Sequence, residues 1–187
     1  MSEVDDMKSL GVAEYRSVAI GIQAADAMLK AATIKLIMTQ VVCPGKYIIL
    51  FTGKLSSVKA ALEVAVSPSF ETMLVDTFLL GNPDATVFSA IYGVTEKGNP
   101  EAVGIIEGYS VASIVGIADE VVKTSPVKLI EIRLARGMTG KSYAIFSGEL
   151  SAVEASMEKA KNTLSENGMY IQSAVIASPD PQIWDAL

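Results

Sequence analysis

The 187-residue sequence contains no histidine and a single cysteine, Cys43. The absence of histidine excludes a Ser-His-Asp triad, a histidine proton shuttle and any His-ligated metal site within the chain. One cysteine cannot form an internal disulfide bond. Charged residues are also scarce: they make up 19% of the chain, against about 25% in an average soluble domain, and 50% of the residues are apolar. This composition predicts a protein that buries much of its surface in an oligomer.

Long uncharged segments are missing as well. The longest has 13 residues, between Glu166 and Asp180, whereas a helix that crosses a bilayer needs about 18 to 20. The segment Met1–Leu10 carries three acids and one lysine with no apolar stretch behind them, so no secretory signal is expected. A net charge of -6 disfavours binding to nucleic-acid phosphates. We therefore expect a cytoplasmic protein with neither nucleic acid nor a membrane as partner.

An internal repeat fills nearly the whole chain. In its first block, ten of 27 positions are identical between the two copies. A period near 95 residues is far longer than a solenoid repeat, so the repeat indicates two complete domains in tandem. Three blocks align without gaps, at offsets of 93, 95 and 96: residues 10–36 on 103–129, 45–62 on 140–157, and 74–91 on 170–187.

The alignment also divides the chain. Periodicity within each copy predicts the order strand, helix, strand, strand, helix, strand, short helix. In the first copy, Ser17 is expected to N-cap the first helix and Asp84 to start the short one. This order is typical of an α/β (α+β) fold, with helices on one side of a mainly antiparallel sheet. The predicted parts are an N-terminal extension at 1–9, a first domain at 10–91, a linker at 92–102 and a second domain at 103–187.

Four motifs occur at matching positions in both copies: Gly-Val/Ile-X-Glu near the start, Ala-Asp-X-Met/Val-Leu/Val-Lys on the first helix, Gly-Lys at the central turn, and Gly-Lys/Glu-Leu-Ser-X-Val at the second helix. With these motifs the chain resembles, twice over, the shell-protein domain of bacterial microcompartments. The resemblance implies two unpermuted, ferredoxin-like domains and a structural, non-enzymatic role in the microcompartment shell. It also implies a homotrimer, a pseudohexamer whose six domains mimic a hexagonal tile and contact neighbouring shell proteins.

The resemblance assigns a role to one lysine in each copy. In the family, the lysine of the first-helix motif lies at the tile edge and contacts the adjacent tile, which corresponds here to Lys30 and Lys123. From the residues alone, the alternative is that each is an ordinary solvated helix lysine.

The segment Cys43-Pro44-Gly45-Lys46 is most similar to the propanediol-utilisation T-type subunits, which hold an iron-sulfur cluster on the trimer axis. This similarity implies one 4Fe-4S cluster per trimer, bound by three Cys43 thiolates, with the fourth iron left to water or another small ligand. Pro44 and Gly45 would hold the pore loop rigid, and Lys46 would offset the cluster charge. The cluster could pass electrons across the shell, or be carried through it, with an encapsulated redox enzyme as a further partner.

The residues themselves leave alternatives open for Cys43. A lone cysteine is usually a small buried apolar residue, and three thiolates plus water would also suit zinc. A shell trimer could instead leave Cys43 unmetallated and use its central opening as a metabolite pore. A protein of another class, a ligand-binding regulator built from duplicated ferredoxin-like domains, would also fit the duplication.

The corresponding loop of the second copy is two residues longer. The resemblance places Arg136, Gly137, Gly140 and Lys141 around the central pore, where the two cations would favour small anionic metabolites. Solvated loop cations are the alternative. The run 135–142 also fits a relaxed phosphate-loop pattern, but a strand is predicted after Gly-Lys-Ser where a nucleotide site needs a helix, so no nucleotide site is expected.

Overall fold

The computed structural model of the chain describes residues 9–97, 101–135 and 137–187. The predicted order of elements is confirmed in both copies. None of the described helices combines the length and apolar character that a membrane span requires. The first copy contains β1 (Ser9–Tyr15), α1 (Val18–Ala31), β2 (Ile34–Val42), β3 (Lys46–Gly53), α2 (Leu55–Ala65), β4 (Leu74–Gly81) and α3 (Ala85–Tyr92). The second contains β5 (Ala102–Gly108), α4 (Val111–Thr124), β6 (Lys128–Arg133), β7 (Ser142–Gly148), α5 (Leu150–Glu166), β8 (Tyr170–Ala177) and α6 (Pro181–Ala186).

The chain forms two compact units, and each contains pieces of both copies. The first unit comprises the chain up to Pro83 together with Ser110–Ala112 and Ala135–Gly140. The second comprises Asp84–Tyr109, Ser113–Leu134 and Lys141–Leu187.

The domain limits drawn from the repeat stay predictions. Helix α3, the last element of the first copy, belongs to the second unit. Of the predicted extension, residues 1–8 lie outside the described residues and Ser9 opens β1. Of the predicted linker, Tyr92 ends α3, Ala102 begins β5, and 98–100 lie outside the described residues.

The first unit is built on a four-stranded antiparallel sheet in the order β2-β3-β1-β4, with α1 and α2 packed against it. Strand β1 is buried along its whole length. At its end the Tyr15 hydroxyl donates a hydrogen bond to the Ala65 carbonyl at 2.8 Å. Burial raises the pKa of Tyr15 to about 12, so the hydroxyl remains a donor and fixes the end of α2 to the sheet.

Local sequence explains where the helices of the first copy begin. Ser17 has extended backbone angles, and its hydroxyl accepts a hydrogen bond from the Ile20 N–H, as an N-cap does. Asp84 caps α3 in the same way, through the Thr86 N–H at 2.9 Å. Both predicted N-caps are confirmed.

The second unit repeats the sheet in the order β6-β7-β5-β8, and α3 packs on β6. The prediction that the helices lie on one side of the sheet holds for the long helices but is wrong for α6. Gly104 faces α5, whereas its neighbour Val103 packs with Trp184 of α6. Since successive side chains of a strand point to opposite faces, α6 covers the face that α5 does not.

Each sheet has one glycine beneath a buried phenylalanine ring. A Cβ on Gly11 would lie 2.3 Å from the Phe51 ring, and a Cβ on Gly104 would lie 2.6 Å from the Phe146 ring. Both rings are fully buried. These glycines, conserved between the two copies, therefore leave room for a core ring.

We expect Gly11→Ala and Gly104→Ala each to lower the free energy of unfolding by about 1–3 kcal/mol, because the added methyl group overpacks the core. Denaturant unfolding measures the change. Gly81→Ala is the matched control, since its Cβ would meet only Leu55, at 3.8 Å, and should change stability by less than about 0.5 kcal/mol. Equal effects at all three positions would contradict this account.

Candidate functional site

The sole cysteine lies at the tip of the β2–β3 turn. Val42 is buried, whereas Cys43, Pro44 and Gly45 are exposed. The Gly45 N–H closes the turn by donating to the Val42 carbonyl at 2.9 Å. Gly45 has a φ of 91°, which glycine adopts without strain. The alternative that Cys43 is a buried apolar residue is therefore wrong for this chain.

The loop of the second copy that belongs to the first unit, Ala135–Gly140, lies against this turn. Its residue Gly140 has a φ of 85°, and a Cβ there would be 3.1 Å from both the Cys43 carbonyl oxygen and the Lys46 Nζ. Glycine thus permits the close approach. The structure thus brings Cys43, Lys46 and Gly140 together, and their predicted place at a central pore stays a prediction.

The other predicted residues of the second-copy loop differ in where the structure places them. Gly137 is exposed in the same loop, with a φ of 67°. Arg136 lies outside the described residues, so its predicted place at a pore stays a prediction. Lys141 belongs to the second unit and is half-buried just before β7. The strand predicted after Gly-Lys-Ser is confirmed as Ser142–Gly148, so no helix N-terminus follows this motif.

The donor set around Cys43 limits which metals one chain could hold. Among the described residues, no three Cys, Asp or Glu side chains come together as a metal site. A metal or cluster at Cys43 would therefore need ligands besides those that the described part of one chain brings together.

A buried carboxylate lies beneath the Cys43 turn. Glu14 of β1 is fully buried, and its Oε1 lies 2.6 Å from the Lys46 Nζ. Its Oε2 accepts a hydrogen bond from the Val111 N–H, in the first turn of α4, at 3.1 Å. The motifs Gly-Val/Ile-X-Glu and Gly-Lys include Glu14 and Lys46, and both residues recur in the second copy as Glu107 and Lys141. This recurrence marks the two residues but does not predict that they pair.

Burial dominates the electrostatics of Glu14. Desolvation raises the pKa of this carboxyl above 4.5, although the Lys46 ammonium and the Val111 N–H favour the charged form. A folded-state pKa above the unfolded value means that the contribution to stability is complete below pH 4.5 and is lost as the pH rises through the folded-state pKa.

The two predicted edge lysines lie near the ends of equivalent helices. Lys30 is exposed and forms an ion pair with Asp26 at 2.5 Å, and Lys123 forms the matching pair with Asp119 at 2.5 Å. Asp119 is buried, whereas Asp26 is exposed. The exposed Lys30–Asp26 pair contributes little to stability, so Lys30 can be replaced with little risk to the fold. Replacement of Lys123 removes an ion-pair partner from a buried carboxylate and costs more.

We expect Glu14→Gln to gain stability relative to the unsubstituted chain as the pH rises from 4.5 to 7.5, because the amide avoids ionisation in a buried place. Urea unfolding of both proteins at several pH values measures the difference. Glu71→Gln, at an exposed site, controls for general titration of the surface. A difference that is constant, or that moves against the variant, would contradict burial as the dominant effect.

Comparison with known proteins identifies the family. The BMC domain family matches residues 9–83 and 102–179. The chain is 35% identical over 177 residues to the bacterial microcompartment shell protein PduT of Citrobacter freundii, covering 95% of this chain and 96% of that protein. It is 29% identical over 190 residues to the carboxysome assembly protein CcmO of Synechococcus elongatus, covering 96% of this chain and 68% of that protein.

A solved structure agrees. A microcompartment protein from Desulfitobacterium hafniense superposes with a TM-score of 0.85 at 39% identity, covering 95% of this chain and 98% of that one. The matches span both copies of the repeat. The chain therefore belongs to the bacterial microcompartment shell-protein family and carries two BMC domains in tandem.

Proposed function

We propose that this structural shell protein is a homotrimeric, pseudohexameric tile whose three Cys43 side chains bind one 4Fe-4S cluster at the central pore. The observation that carries the proposal is the exposed position of Cys43 at a turn tip, in a chain whose described residues include no group of three side chains that could hold a metal. Similarity to PduT along nearly the full chain supports it. The regulator alternative is set aside, because the chain belongs to a family of structural shell proteins.

The residues present fit a cluster that is shared between chains. Three symmetry-related Cys43 thiolates would hold three irons of a cubane and leave the fourth iron to water or another small ligand. Gly45 holds the exposed turn closed, so the sulfur is presented on a defined backbone. The Lys46 ammonium is paired with Glu14, so only part of its charge would act on a cluster bound at the turn.

When bound, a 4Fe-4S cluster supplies one-electron redox chemistry. The chain would hold it at the pore, where electrons could pass across the shell to an encapsulated redox enzyme, or where the cluster itself could be carried through. In this proposal the protein resides in the microcompartment shell, in the cytoplasm, and contacts neighbouring shell proteins through its edges.

The cluster is tested by anaerobic purification of the unsubstituted chain and of Cys43→Ser, with iron and sulfide assays, visible absorption and mass in solution. We expect about four irons and four sulfides per trimer in the unsubstituted protein and none in the variant. Met138→Ser, which removes a sulfur from the second-copy loop, is the control and should retain the cluster. Equal iron in Cys43→Ser and the unsubstituted chain would refute the proposal, and a colourless trimer would favour a cluster-free metabolite pore.

The tile-edge role of Lys30 and Lys123 is tested separately. We expect the double variant Lys30→Ala, Lys123→Ala to keep the mass of a trimer but to lose extended sheets in negative-stain electron microscopy. Lys59→Ala, Lys161→Ala, at two exposed helix lysines, is the matched control and should still form sheets. Sheets from both double variants would show that the edge contact does not need Lys30 or Lys123.

A further inference from the structure

Three groups meet beneath the turn that carries Cys43, and all of them belong to the first unit. Glu14 contacts the Lys46 ammonium through Oε1 at 2.6 Å, and its Oε2 accepts from the Val111 N–H at 3.1 Å. The Glu14 side chain is fully buried, whereas the Lys46 side chain is 17% exposed. The carboxylate of this pair therefore lies inside the protein, and the pair meets water through its ammonium end.

The Lys46 ammonium is also close to the Cys43 turn. A Cβ on Gly140 would lie 3.1 Å from the Lys46 Nζ and 3.1 Å from the Cys43 carbonyl oxygen, so both atoms border the same point. Gly140 therefore leaves the space in which the ammonium lies beside the turn. Lys46 is the cation that connects a buried carboxylate to the turn of the candidate cluster ligand.

A second carboxylate faces Glu14 across the sheet. Asp76 of β4 lies directly opposite Glu14 in the strand register. Its partners include the Ser110 hydroxyl at 2.7 Å and the Thr77 N–H at 2.8 Å. Among the described residues, the charges that act on Glu14 are therefore one cation, Lys46, and one anion, Asp76. The N-terminus of α4 adds a partial positive charge, which favours a carboxylate.

The protonation state of Glu14 decides how much positive charge Lys46 presents to the turn. When Glu14 is ionised, its carboxylate offsets the ammonium and the pair is neutral overall. When Glu14 is protonated, the charge of the ammonium is uncompensated. Burial raises the pKa of Glu14 above 4.5, so the protonated form persists to a higher pH than it does in an exposed glutamate.

Charge near an iron-sulfur cluster is one of the quantities that set its reduction potential. A nearby cation favours the reduced cluster, because that state carries one more negative charge than the oxidised state. A cluster beside Lys46 should therefore have a higher potential when Glu14 is protonated. Since coupling between two binding equilibria is reciprocal, the added electron must strengthen proton binding at Glu14 by the same factor.

We propose that Glu14 is a positioning residue of the candidate cluster site, which controls the Lys46 charge and binds a proton when the cluster is reduced. One electron from a one-electron donor enters the cluster, and one proton from water adds to one of the three Glu14 carboxylates of the trimer. The total charge of the site is then unchanged, and no bond between heavy atoms forms or breaks. This inference rests on the proposed function and couples electron transfer at the pore to proton transfer.

The coupling is tested by spectroelectrochemical measurement of the reduction potential of the anaerobically purified trimer, from about pH 5 to about pH 9. In the unsubstituted protein the potential should fall as the pH rises through the pKa of Glu14, because the carboxylate then offsets the Lys46 charge. Glu14→Gln leaves the ammonium uncompensated at every pH, so its potential should stay high. At the alkaline end and at equal applied potential, this variant should hold at least a threefold larger ratio of reduced to oxidised cluster, which corresponds to about 28 mV.

Two further variants complete the comparison. The double variant Glu14→Gln, Lys46→Gln removes both charges, so its potential should be low at every pH and close to that of the unsubstituted protein in alkali. Glu71→Gln, at an exposed glutamate, controls for titration of the surface and should follow the unsubstituted protein. Iron and sulfide assays check that all four proteins carry the same amount of cluster.

Proton binding itself is measured by redox-difference infrared spectroscopy. Reduction of the unsubstituted protein should produce the carbonyl band of a protonated carboxyl group, and this band should shift in deuterated water. Glu14→Gln should lack the band. A purely structural role of Glu14 would not produce this signal, because such a role leaves the protonation state of the carboxyl unchanged on reduction.

The outcomes separate this inference from the proposed function. A loaded trimer whose potential does not change with pH, or whose spectrum lacks the carboxyl band, would overturn the role of Glu14 and leave the cluster in place. A Glu14→Gln protein that keeps the pH dependence of the unsubstituted protein would do the same. An unsubstituted trimer without a cluster would overturn both proposals. If Glu14→Gln does not fold, the pH titration and the infrared spectrum of the unsubstituted protein still decide, because neither needs a variant.

Discussion

The buried carboxylate of Glu14 is the constraint around which the candidate site is arranged. Removing a charge from water is costly unless partners replace the lost hydration, and here the Lys46 ammonium and the Val111 N–H replace only part of it. Lys46 is the first residue of β3, directly after the turn with Cys43, and Val111 is the first residue of α4. One side chain of the sheet therefore contacts both the residue that follows the Cys43 turn and a helix N-terminus. These contacts connect the turn that carries the exposed cysteine to the sheet.

The elements of the fold could be predicted because their signals are local. Periodicity and the caps at Ser17 and Asp84 concern residues within a few positions of one another, and the repeat tests each assignment twice. The side on which α6 lies could not be predicted, because it depends on packing between Trp184 and Val103, which are far apart in the sequence. The division of the chain into units could not be predicted either. A repeat suggests that each copy packs with itself, whereas α3, from the first copy, belongs to the second unit.

For the candidate site, only the type of side chain and its place in a turn could be predicted. A lone cysteine beside Pro-Gly indicates a turn, and the structure shows that Cys43 is exposed there. The pairing of Glu14 with Lys46 joins residues 32 positions apart, and no local pattern encodes it. In the proposed function the further ligands come from other copies of the chain, and the described part of one chain has no group of three side chains that could hold a metal. The threefold symmetry of the proposed trimer would bring three copies of the Cys43 thiolate together, and the sequence of one chain does not encode that arrangement locally.

The repeat also bears on the low charge of the chain. Val115 of α4 is apolar and buried, and its counterpart Ile22 of α1 is apolar too although it is exposed. Charge can remain on such a face only where a fixed donor meets it, which is the position of Asp119 beneath the Asp84 N–H. The low charged fraction of 19% fits the proposed oligomer, whose subunit contacts would bury further apolar surface.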